Sequence, residues 1–109
     1  MRSGMQYPLH ELASVIRSKN AGPYELTFDV IFKDAEVYEK IRQTRPFTAA
    51  SFAELYKIDQ SDVLNVVYFD PAKAVKITIK RPMASGMLGE SDVYGAQQHA
   101  PLVDMPVTV

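Results

Sequence analysis

The ten residues "YELTFDVIFK", Tyr24 to Lys33, alternate in a way that one local structure accommodates. Leu26, Phe28, Val30 and Phe32 fall on one side of an extended chain, and Thr27, Asp29 and Lys33 on the other. A period of two, carried by β-branched and aromatic residues, predicts a strand with one face in a core and the other at least partly polar. "VKITIKR" repeats the pattern more strictly, setting Val75, Ile77 and Ile79 against Lys76, Thr78 and Lys80. Before it runs "SDVLNVVYFD", apolar from Val63 to Phe69 except at Asn65. The link between them, "DPAKA", places Pro71 at the second position of a type I turn. Two strands joined so tightly pair antiparallel.

Helical spacing fills the middle of the chain. Asp34 offers an N-cap for "AEVYEKIRQT", with Glu36 in the first turn, where negative charge suits the helix dipole. Val37, Tyr38 and Ile41 form its apolar stripe. After Pro46, Thr48 caps a second short helix in "FTAASFAELYKI", with Phe47 placed to staple onto Phe52. Phe52, Leu55 and Tyr56 are its buried side. The first segment, "LHELASVIRSKN", satisfies both periods: Leu9, Leu12, Ala13 and Ile16 fit a helix, and the alternation from Ala13 fits a strand. From Pro82 onward "PMASGMLGESD" is loop-like, "VYGAQQHAP" has no period, and "LVDMPVTV" suits a short edge strand broken by Pro106. The elements add up to a single α+β domain over residues 1–109, with an irregular tail from about residue 82. Its centre is an antiparallel sheet of three to four strands with two short helices on one face, most commonly built as a ferredoxin-like arrangement.

Composition removes several function classes. Twelve Lys and Arg against thirteen Asp and Glu leave a formal net charge of -1, with the signs interspersed. That is not the basic footprint a nucleic-acid partner requires. Without cysteine there is no disulfide, no thiolate nucleophile and no zinc site built on sulfur. His10 and His99 are far apart and lack HxH or HExxH spacing, so no metal site is expected. Nor is a nucleotide cofactor or serine-hydrolase chemistry, since GxGxxG, Walker A and GxSxG patterns are missing. The N-terminal "MRSGMQYP" has no apolar signal region, and no run approaches the roughly 18 apolar residues of a membrane span. The expectation is a cytoplasmic protein with no membrane partner.

Two polar segments carry candidate chemistry. "RSKNAGP", Arg17 to Pro23, has the composition of an anion-binding turn. Arg17 can make a bidentate fork to a carboxylate or phosphate, and Lys19 adds a second charge. Ser18 and Asn20 supply neutral hydrogen bonds, and Gly22 lets backbone approach a ligand closely. The same residue types also make ordinary solvated turns. "SDVYGAQQHAP" gathers Asp92, Tyr94, Gln97, Gln98 and His99. His99 suits general acid or base work near neutral pH, with Asp92 or Tyr94 to orient it or donate to a carbonyl. A peripheral tail with a solvated histidine would read the same.

Three long stretches, "LHELASVIRSKNAGPYELTFDVIF", "VVYFDPAKAVKITIKRP" and "SGMLGESDVYGAQQHAPL", resemble the family catalogued as domain of unknown function 4387, over about Leu9 to Leu102. Its members are small stand-alone proteins or C-terminal extensions of the acyclic terpene utilisation protein A (AtuA) family. The ferredoxin-like C-terminal region of the latter carries an "ARSGDKG" type segment. "IRSKNAG", Ile16 to Gly22, is similar to it, with Lys19 near its lysine and Gly22 near its last glycine, while Asn20 and Ala21 depart from it. The resemblance implies a strand leading into the Arg17 turn. It also implies one shared site of Arg17, Ser18, Lys19 and Asn20 with Asp92, Tyr94, Gln97, Gln98 and His99, within a chain or across an oligomer. The implied function is an accessory protein of an AtuA-type large protein, in catabolism of organic acids or their coenzyme A thioesters. Arg17 and Lys19 would hold a carboxylate or phosphate, and the segment from Asp92 to His99 would close over it or over the partner. The alternative is a self-sufficient lyase or hydratase acting as a homo-oligomer, with His99 or Lys19 as base and Arg17 as clamp. A third is a structural domain that orders a partner through its free sheet edge.

Overall fold

Both alternating segments are strands, and they lie side by side at the centre of the sheet. A computed structural model describes residues 5–22, 24–80 and 100–109. Its elements are β1 (Gln6–Pro8), α1 (Leu9–Leu12), β2 (Ala13–Asn20), β3 (Glu25–Phe32), α2 (Ala35–Thr44), α3 (Ala49–Tyr56), β4 (Val63–Phe69), β5 (Ala74–Lys80), α4 (Ala100–Val103) and β6 (Pro106–Thr108). The main sheet has the order β2-β3-β5-β4 and every neighbour is antiparallel. Phe28 of β3 faces Ile77 of β5 across the central ladder. β4 and β5 form the expected hairpin, its short 3-10 turn spanning Asp70–Ala72.

The α+β class, the antiparallel sheet and the two helices on one face are as the sequence predicts. Connectivity departs from the full ferredoxin-like arrangement in one place. The chain leaves β3, crosses the sheet through α2 and α3, and enters β4 with β5 lying between, which is one split crossover of that arrangement. At the other edge a tight hairpin joins β2 to β3 where a second helical crossover would stand. Gly22 makes this turn with φ +122°, a conformation that L side chains rarely adopt.

The segment with two periods uses both. Leu9–Leu12 is a single helical turn that buries Leu9 and Leu12, and the strand begins at Ala13. A β-bulge follows: Ala13 faces Phe32 and Val15 faces Ile31, so Ser14 is the extra residue. The bulge sets which side chains of β2 face the core.

Leu26, Phe28, Val30 and Phe32 of β3 and Val75, Ile77 and Ile79 of β5 form the inner face of the sheet. Against them pack Val37, Tyr38 and Ile41 of α2 and Phe52 and Ala53 of α3. Phe28 lies at the centre, its ring 4.9 Å from Phe52 and 5.1 Å from Tyr56. Both helices start as predicted. The Asp34 carboxylate accepts from Val37 N at 2.9 Å, and Thr48 and Ser51 form a reciprocal capping box. Such caps contribute about 1 kcal/mol each. Tyr38 Oη donates to Asp70 Oδ1 at 2.6 Å and ties α2 to the β4–β5 turn. Burial first, and then this carboxylate, hold the phenol pKa well above its ordinary value, so the hydroxyl stays a donor.

The tail is described from Ala100 onward. α4 and β6 place Leu102, Val107 and Val109 in the core, and β6 pairs with β1 instead of with an edge of the main sheet. Pro106 opens β6 and does not break it, since the first position of a strand tolerates its missing donor. Among the described residues no helix is long and apolar enough to cross a membrane.

Candidate functional site

With α2 and α3 on one side, the other side of the main sheet carries every second residue of four strands, and the pairing registers align these in rows. The first row is Val15, Ile31, Ala74 and Phe69, all apolar. Next comes Arg17, Asp29, Lys76 and Val67, a carboxylate between two cations. Lys19, Thr27, Thr78 and Asn65 make a third, hydrogen-bonding row. These rows form a depression of about 430 Å³, within the usual size range of small-molecule sites. Its lining holds three cations, Arg17, Lys19 and Lys76, and one carboxylate, Asp29. Among the described residues no group of histidine, aspartate and glutamate side chains suits a metal ion.

Asp29 is the fixed point of the face. It is 7% exposed, and its Oδ2 accepts from Arg17 Nε at 3.1 Å. The Arg17 side chain remains 57% exposed, with its terminal nitrogens turned to no other carboxylate among the described residues. The apolar wall is also open: Phe69 is 52% exposed, and Val67 is exposed beside it.

This geometry divides the residues expected to act together. The segment predicted as a turn is the end of β2, so its side chains alternate between faces. Arg17 and Lys19 reach the open depression. Ser18 is buried on the helix side, and Asn20, partly buried, points the same way. Gly22 shapes the turn through its positive φ, and a Cβ there would meet no atom of the described residues within 4 Å. Asp92, Tyr94, Gln97, Gln98 and His99 lie outside the described residues. Asp29, Lys76 and Thr78 line the depression without belonging to either polar segment. An acid in the middle of a β-branched and aromatic strand is the signal that marks Asp29.

A four-stranded sheet covered by helices on one side, with an amphipathic, cation-rich depression on the other, defines an open-faced α+β domain. The chain belongs to the family described as domain of unknown function (DUF4387), whose model matches residues 9–106. No curated protein and no solved structure matches it.

Proposed function

We propose that the protein is a small accessory protein that binds an anionic organic acid or its acyl thioester on the open face of its sheet, beside an AtuA-type large protein. The observation that supports this reading is the row structure of the depression. Arg17, Lys19 and Lys76 outnumber Asp29 on one side, and Ile31, Ala74, Val67 and Phe69 line the other. A carboxylate takes charge-assisted hydrogen bonds from the cations, while its hydrocarbon tail covers the exposed apolar row. A second copy of the same face is a poor occupant, because it would set cations against cations.

Titration of the 15N-labelled protein with octanoate tests the ligand. Amide shifts confined to β2, β5 and β4 around Arg17, Lys76 and Val67 are expected, with octanol giving smaller ones at equal concentration. Shifts of equal size with octanol would leave the cations without a role and sink the reading. The partner is tested by light scattering after size exclusion of the protein mixed with the AtuA-type protein of the same genome. Co-elution is expected, and separate elution at micromolar concentrations refutes the accessory role.

A further inference from the structure

Arg17 and Asp29 present more than a positive patch. The guanidinium spends one donor, Nε, on Asp29 Oδ2, which leaves its two terminal nitrogens as a fork toward the depression. On the neighbouring strand the Asp29 carboxylate has a second oxygen, and among the described residues no donor is recorded on it. An anion receptor and an anionic acceptor therefore stand in one cross-strand row, on strands about 4.8 Å apart. A plain carboxylate uses only half of this pair, and Asp29 repels it. A ligand that carries a hydrogen-bond donor close to its carboxylate uses both halves.

We infer that the ligand of this face is a hydroxy carboxylic acid with an apolar tail, its carboxylate on Arg17 and its hydroxyl donating to Asp29. The inference rests on the anion-binding reading above and names the acid within it. Charge on the face excludes the obvious competitor. An ammonium would also donate to Asp29, but it would have to enter a depression already holding Lys19 and Lys76, whereas a hydroxyl is neutral. Thr27 and Thr78, in the next row, are neutral acceptors and so weaker partners for the same hydroxyl. The tail then runs toward Val67 and Phe69, at the far edge of the sheet from Arg17.

Calorimetric titration of octanoate, 2-hydroxyoctanoate and 3-hydroxyoctanoate, on the wild type, Asp29→Leu and Asp29→Asn, decides it. In the wild type at least one hydroxy acid binds about tenfold more tightly than octanoate, as a hydrogen bond to a charged acceptor implies. Asp29→Leu, similar in shape but without an acceptor, brings that ratio below about threefold, octanoate on the same variant being the reference. Asp29→Asn keeps one neutral acceptor and also lowers the ratio, which preserves the test if the leucine variant does not give a folded NMR spectrum. Equal affinity of all three acids for the wild type overturns the inference and leaves the anion site standing. A hydroxyl preference that survives in both variants assigns the acceptor elsewhere and overturns it too. Failure of all three acids to bind removes the anion site, and the inference with it.

Discussion

Arg17→Ala and Lys19→Ala each weaken octanoate binding about tenfold, the loss expected when one charge-assisted contact is removed from a half-exposed site. The two variants then part company in stability. Lys19 is exposed on the open face, and its removal takes nothing from the core, so the melting temperature should hold. Arg17 donates to Asp29, and without it a side chain that is 10% exposed keeps its burial and loses this partner. That costs about 1–3 kcal/mol, or several degrees of melting temperature for a domain of this size. Calorimetric titration and thermal unfolding read both effects on the same samples. If Lys19→Ala lost stability and kept affinity, the cations would be structural and the depression would not be a binding site.

Phe28→Ala attacks the other face of the same strand and should come close to unfolding the protein. Its ring is fully buried between β3 and α3, 4.9 Å from Phe52. Truncation of such a side chain costs about 3–5 kcal/mol, against a total of about 5–15 kcal/mol for domains of this kind. Urea unfolding should show the midpoint fall by a third or more with the slope unchanged. A loss under about 1 kcal/mol would mean that the aromatic cluster is not the centre of the core. Thr27 and Asp29 flank Phe28 in sequence but face the open side, so octanoate affinity of the folded fraction should not change.

How much of this could be read from the chain depends on whether the information was local. Period-two alternation is local, and it marked β3 and β5, their inward residues and the polar side on which Lys76 and Thr78 stand. Caps are local too, and Asp34 and Thr48 were found from one turn of sequence. The segment from Leu9 to Asn20 defeated periodicity because it holds a single helical turn, then a strand, then a bulge at Ser14, each too short to dominate a window. Adjacency is a limited guide to side-chain grouping for a related reason. "RSKN" was grouped by adjacency, but in a strand adjacency separates side chains, sending Arg17 and Lys19 one way and Ser18 and Asn20 the other. What replaced the lost neighbours, Asp29 and Lys76, comes from registers between β2, β3 and β5, and Lys76 is 59 positions away from Arg17 in the chain. No local pattern encodes a register of that range.

The order β2-β3-β5-β4 has a consequence for how the open face is assembled. β2 with β3 and β4 with β5 are local hairpins, of a kind that forms within microseconds, whereas the β3–β5 seam must close a long loop. The proposed site straddles that seam, with Arg17, Lys19 and Asp29 on one hairpin and Lys76, Val67 and Phe69 on the other. Neither hairpin alone holds the Arg17–Asp29 pair together with the wall of Val67 and Phe69. Binding as proposed therefore needs the closed sheet, and an acid bound there would select the fully assembled chain over every half-built one.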